Sequence, residues 1–308
     1  MVGVSKSLTR AERAIQLLLI DHEHYQLPAD RTDFNSLSGM GAFLYLALFR
    51  TVRTLLKRFV ASNPTWIRTP RDSHFRLKPR TETIFDVFGS QVLAMVGAGQ
   101  SELFEPHETS EATINIAPSE SLPLANRSVN FALGSPPYCT RIDYAVATKP
   151  ELAVLGYTKE SFRELRQRLL GTSTVLRDAP RESRVWGHTC TSFLKRLKNH
   201  ESKASKTYYY KNHLQYFDGI FKSLTELHRV LDDDGTCVLV VQDSFYKDIK
   251  NDLPQIVTEM AAANALELTR REDFTHARTM AALNPAARHY RKEFAATESV
   301  LVFGRRAK

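Results

Sequence analysis

Gly134-Ser135-Pro136-Pro137-Tyr138-Cys139-Thr140-Arg141-Ile142-Asp143-Tyr144, written GSPPYCTRIDY, follows directly on Val129-Asn130-Phe131-Ala132-Leu133. That apolar run has the character of a buried strand. Proline fixes its own φ and biases the residue before it toward extended geometry, so Pro136 and Pro137 make a stiff ledge where the strand ends. Ligands of open α/β sheets bind beyond the carboxyl ends of the strands. A nucleobase laid on this ledge would find acceptors for an exocyclic amine in Ser135 and the Pro136 carbonyl, and a stacking face in Tyr138. Such an amine is a weak nucleophile, because its lone pair is delocalised into the ring. Holding both hydrogens at acceptors aims that lone pair at an electrophile, for which a sulfonium methyl group is the natural choice, and catalysis then rests on positioning and electrostatics.

Outward from the ledge the chain alternates between strand and helix patterns. Thr113-Ile114-Asn115-Ile116 reads as a short strand before the central one. Residues 209–231 carry Phe217, Ile220, Phe221, Leu224, Leu227 and Leu231 on one helical face, and Asp232-Asp233-Asp234-Gly235 reads as the stop. An apolar strand over 236–241, a helix over 253–263, a strand beginning at Leu266 and a closing strand at Ser299-Val300-Leu301-Val302-Phe303 complete an α/β pattern with a largely parallel sheet. Residues 1–110 read as a mainly helical region, with amphipathic helices over 8–25, 41–60 and 81–96. The remainder, 111–308, is the α/β portion, interrupted at about 157–206 by an insertion suited to target recognition.

Composition narrows the classes. Hydrophobic residues make up 43% of the 308 and charged residues 25%, as in globular proteins, and arginine or lysine cuts every apolar run short of a membrane span. A cytoplasmic protein is expected. The three cysteines, Cys139, Cys190 and Cys237, form no C-x-x-C pair, and the histidines show no H-E-x-x-H spacing, so neither a disulfide framework nor a metal site is expected. A net charge of +8 favours a polyanionic partner. The cations cluster twice: Arg68, Arg71, Arg76, Lys78 and Arg80 fall in a proline-broken segment, and Arg184, Lys195, Arg196 and Lys198 fall in the insertion. Both are candidates for phosphate contacts with double-stranded DNA.

Ser135-Pro136-Pro137-Tyr138 resembles the catalytic motif of the exocyclic-amino DNA methyltransferases, in which serine at the first position is commonest in the cytosine-N4 group. The approach through Leu122-Pro123-Leu124 and 128–133, the run from His228 through Gly235 to Val241, and the closing strand from Glu298 to Phe303 extend the resemblance over about 111–308. It implies a class I, Rossmann-like sheet and S-adenosylmethionine-dependent methylation of a DNA base, cytosine N4 before adenine N6, of the kind found in restriction-modification. By the same resemblance Ser135, Pro136, Pro137 and Tyr138 are catalytic, Arg141, Asp143 and Tyr144 lie near the bound base, and Asn115 and Gly134 border the cofactor.

Two family features are missing. No Phe-x-Gly-x-Gly loop follows a first strand, and no acidic residue follows a second. Gly39-Met40-Gly41 lacks a preceding strand, and Asp86-Val87-Phe88-Gly89 lies inside a helical pattern. In the family's sheet the catalytic strand lies beside the first strand, and the strand corresponding to Thr113–Ile116 lies beside the second. The sheet of this chain is therefore expected to be incomplete, and a second polypeptide is expected to supply those strands and most of the cofactor site. An RNA amino-methyltransferase and a catalytically silent DNA-binding subunit are the competing expectations. Cys139 does not follow a proline directly, as a cytosine-C5 nucleophile would, and is expected to pack in the core.

Overall fold

The computed structural model describes residues 38–61, 66–68, 72, 75, 77–99, 112–139, 143–276 and 295–306. The chain divides into two units, Met1–Ala112 with Tyr144–Leu165, and Thr113–Asp143 with Arg166–Lys308. The helix expected over 8–25 lies outside the described residues.

The first unit is helical. α1 (Gly39–Leu55) starts where the Ser38 hydroxyl accepts from the Gly41 N–H at 3.1 Å, satisfying a backbone donor that the first turn leaves open. Its Leu48 and Val52 are buried with Val154, and Leu44, Phe49, Leu56 and Phe88 pack around them. α2 (Thr81–Gly99) and α4 (Lys149–Val154) complete this cluster, the short α3 (Tyr144–Ala147) precedes α4, and α5 (Lys159–Arg168) carries the chain into the second unit. Arg53 on α1 clamps Glu151 on α4 with two donors, at 2.5 and 2.8 Å. Neither expected glycine-loop candidate is a loop: Gly39 and Gly41 open α1, and Gly89 lies within α2.

The second unit is built on a four-stranded sheet. Its strands are β1 (Val129–Gly134), β2 (Leu231–Gln242), β5 (Leu266–His276) and β6 (Ala296–Arg305), in the order β1-β2-β6-β5. A separate hairpin joins β3 (Ser244–Tyr246) to β4 (Ile249–Asn251). β1 and β2 are parallel, whereas β6 is antiparallel to both of its neighbours. The row Ala132, Cys237, Phe303 and Leu268, read across the register, faces the core, where Cys237 and Phe303 are fully buried. The helices α6 (His188–Asn199), α7 (Tyr210–Val230) and α8 (Leu253–Ala263) bring Leu194, Leu197, Phe217, Leu224, Ile256 and Met260 into that core. The next row, Leu133, Val238, Val302 and Arg270, points the other way; none of its members is buried and Leu133 is 71% exposed. Among the described residues, helices thus cover one face of the sheet only.

Three expectations change. The sheet is mixed, because β6 returns antiparallel between two strands that share the direction of β1. Thr113–Ile116 is not a strand and pairs with no described strand, and Ile114 and Ile116 are 88% and 90% exposed; a strand needs a neighbour to take its backbone bonds. Asp232-Asp233-Asp234-Gly235 does not separate α7 from the strand but lies within β2 as an irregularity, since Val129 pairs with Leu231 and Phe131 with Thr236. Close approach demands glycine there: a Cβ on Gly235 would sit 2.9 Å from the Val129 carbonyl oxygen.

Candidate functional site

Ser135 to Tyr138 leave β1 at its carboxyl end. Ser135 is exposed, and its hydroxyl donates to the Val240 carbonyl on β2 at 3.1 Å. The proton of the hydroxyl is engaged behind the ledge, so its lone pairs remain to accept. Pro136, Pro137 and Tyr138 are half-buried. The Pro137 carbonyl accepts a bond from the Tyr216 hydroxyl on α7 at 2.8 Å. Gly171 lies against the same proline in the left-handed region at φ +75°; a Cβ added to it would be 3.2 Å from Pro137 Cβ and 3.3 Å from the Tyr138 carbonyl oxygen. Both the turn and the close contact therefore call for glycine.

The chain that carries Gly171 is itself fastened to α7 and the turn before it. Asn212 Nδ2 donates to the Thr172 carbonyl at 2.7 Å. Gln215 spans the next stretch, accepting from the Leu176 N–H at 2.8 Å and donating to the Thr174 carbonyl at 3.2 Å, and the Tyr208 hydroxyl donates to the Ser173 carbonyl. Loss of solvent is the main cause that holds the Tyr208 hydroxyl above its ordinary pKa. Leu170, Gly171, Thr172, Asn212, Gln215 and Tyr216 also line a cavity of about 350 Å³, so these named bonds and contacts, rather than a solid packed wall, support the ledge from behind.

Among the residues expected near the base, Arg141 lies outside the described residues. Asp143 is 6% exposed, and its Oδ2 accepts from Arg166 Nε at 2.9 Å, Arg166 Nη2 at 2.5 Å and Ser173 Oγ at 2.9 Å. The carboxylate is turned inward and anchors the chain that leaves the ledge, because a buried charge needs such partners. Tyr144 is exposed at the start of α3, in the first unit. No signal in the sequence marked Tyr216, Gly171 or Arg166 as part of this site. The nearest was the group of hydrogen-bonding side chains at Asn212, Gln215 and Tyr216 on an amphipathic helix.

The two expected cofactor residues do not make a cradle. Asn115 is exposed on the unpaired segment. Gly134 is half-buried at the strand end, with Leu239 Cδ2 3.5 Å from where a Cβ would stand. Among the described residues, these two by themselves do not fit S-adenosylmethionine. Nor do the described residues hold any group of three or more histidine, cysteine or acidic side chains able to bind a metal ion. Cys139 is buried in the core as expected; burial also raises the thiol of Cys190 well above the ordinary range and that of Cys237 to about 11, which keeps both protonated and unreactive.

The basic residues separate by unit. Arg68, Lys78 and Arg80 are exposed in the first; Arg71 and Arg76 lie outside the described residues. Arg184, Lys195, Arg196 and Lys198 are exposed in the second. The last three share the outer side of α6, whose other side buries Cys190, Phe193, Leu194 and Leu197. Lys198 also lies 5.5 Å from the centre of the Tyr210 ring. Among the described residues no helix is long and apolar enough to cross a membrane. No protein-family model, no curated protein and no solved structure matches this chain, so the reading of its site rests on its own geometry.

Proposed function

We propose that this chain carries the catalytic ledge of an S-adenosylmethionine-dependent methyltransferase acting on an exocyclic amino group of a DNA base, cytosine N4 before adenine N6. In this reading it works with a second polypeptide that supplies the glycine loop and the missing strands of a Rossmann-like sheet. The observation that carries the reading is the ledge: Ser135, with its own proton engaged by Val240, is an acceptor beside two prolines at the end of a strand. An acceptor of that kind suits the hydrogens of an amine, and the Tyr138 ring suits the face of a base. The exposed cations on α6 and at Arg68, Lys78 and Arg80 suit phosphate contacts.

The need for a second chain is supported by two findings together. Among the described residues the two expected cofactor residues form no cradle, and the sheet ends at β1, the side on which the resemblance calls for the first strand. Co-expression with the chains encoded beside it, followed by mass spectrometry of nucleosides from host DNA, tests the proposal. Methylated cytosine or adenine is expected with the wild-type chain and none with Ser135→Ala, while DNA binding is kept. Unchanged methylation with Ser135→Ala would instead favour a silent DNA-binding subunit. Tight, stoichiometric binding of S-adenosylmethionine by the isolated chain would overturn the two-chain form.

A further inference from the structure

We infer that Tyr216 and Gly171 are positioning residues that set the height and tilt of the Ser135–Tyr138 ledge. Proline rings stiffen the ledge internally, but they do not fix it relative to the sheet. The Ser135 hydroxyl on the Val240 carbonyl at 3.1 Å ties its near end to β2, and two supports hold its far end: the Tyr216 hydroxyl on the Pro137 carbonyl at 2.8 Å, and the bare Cα of Gly171 against Pro137 and the Tyr138 carbonyl. Both trace back to α7. Tyr216 is one of its own residues, and Gly171 begins the stretch that Asn212 and Gln215 fasten to it. The Arg166, Asp143 and Ser173 cluster closes the frame, joining the chain beyond the ledge to the chain beside it. Because α7 packs on the covered face of the sheet through Phe217, Ile220 and Leu224, the frame ties the ledge to the core.

What the ledge positions rests on the methyl-transfer reading; that it is held this way does not, and the two are tested apart. Hydrogen exchange on the full-length chain reads the frame directly. Pro136 and Pro137 carry no amide hydrogen, so a peptide spanning the ledge reports through Ser135, Tyr138 and Cys139. Exchange there is expected to rise several-fold in Tyr216→Phe and in Gly171→Ala, with β2 peptides unchanged. Tyr210→Phe, which removes from α7 a hydroxyl bonded to Glu182 outside that helix, is expected to leave the ledge as it is. In the assembled complex Tyr216→Phe is expected to lower kcat by roughly tenfold with KM for DNA within about twofold, since misplacing a reacting group by a fraction of an ångström acts on the chemical step.

Unchanged exchange at the ledge in Tyr216→Phe overturns the inference, whatever the activity. A rise in exchange with kcat unchanged overturns it too, as does a fall in melting temperature without a local rise. If the wild-type complex methylates no DNA, the functional reading fails while exchange alone still decides whether the frame exists.

Discussion

The two edges of the sheet are finished differently. Along β5 run Arg270, Arg271, Glu272 and Asp273, with ion pairs Arg270–Glu272 at 3.0 Å and Arg271–Asp273 at 2.9 Å, and the register slips between Leu268 and Arg270. Charge and irregularity of this kind keep other strands from pairing there. Along β1 the exposed residues include Phe131 at 59% and Leu133, with no charged side chain between Val129 and Gly134. An edge with apolar side chains and open backbone groups is a template for another strand. The contrast favours β1 over β5 as the edge at which the proposed partner would pair.

Matched substitutions at equivalent depths break or keep that contrast. Phe131 on β1 and Phe274 on β5 are similarly exposed, at 59% and 53%. Phe131→Lys is expected to abolish co-purification of the partner and, with it, DNA methylation in the reconstituted complex, a loss of at least about a hundredfold given the cost of burying an unpaired charge in an interface. Phe274→Lys is expected to leave both within about twofold, as exposed substitutions usually do. Equal losses at the two edges would end the distinction.

A second pair measures what the covered face contributes. Phe303 on β6 is fully buried, so Phe303→Ala is expected to lower the stability of the isolated chain by about 3–5 kcal/mol in urea unfolding. Phe131→Ala is expected to change it by less than about 0.5 kcal/mol in the isolated chain, and by more once the partner is bound. A large loss for Phe131→Ala without the partner would mean that β1 is already packed.

How far the sequence reached follows the same division. Elements that bury one face were legible because periodicity reports burial: the helices at 41–60, 81–96, 209–231 and 253–263 appear as α1, α2, α7 and α8 within a few residues. Thr113–Ile116 misled because alternation reports the capacity to pair, whereas pairing needs a neighbour. The direction of β6 was not legible either, since an apolar strand reads the same in a parallel or an antiparallel ladder. Within the site, Ser135 to Tyr138 stood out by chemistry, while Arg166, Gly171 and Tyr216 act across spans of chain from 23 to 79 residues and no local pattern announces such contacts. The ion pair of Asp143 was not legible for the same reason, because its partner Arg166 lies on a different element.

The covered face also carries a titration. His213 on α7 is buried against Phe193, Phe217 and Tyr246, and its Nδ1 bonds the Tyr209 carbonyl at 2.7 Å. Burial pulls its pKa from 6.5 down to about 4. Between those values the unfolded chain binds the proton and the folded chain does not. Stability is therefore whole above pH 6.5, falls as pH drops below it, and levels off near pH 4, with about 3 kcal/mol lost from this group. Urea unfolding at a series of pH values in wild type and His213→Phe checks the sign: the variant is expected to lose this slope. A slope of the same size in the variant would assign it to other groups.

The smallest effects belong to the charged edge, and they separate protection from stabilisation. Arg270 and Glu272 keep 70% and 51% of their side-chain surface in solvent, where the cost of holding long side chains offsets most of the attraction. Arg270→Ala and Arg271→Ala are each expected to lower stability by less than about 1 kcal/mol, and the difference is expected to shrink as salt is raised. Both together should nonetheless hasten self-association, read by light scattering at low salt, because they strip the charge that keeps the β5 edge from pairing. A loss above about 2 kcal/mol without faster association would make the ion pairs structural supports. The charges of β5 would then no longer explain why a partner is expected at β1 alone, since an edge guarded by packing and an edge left open by its absence would differ only in degree.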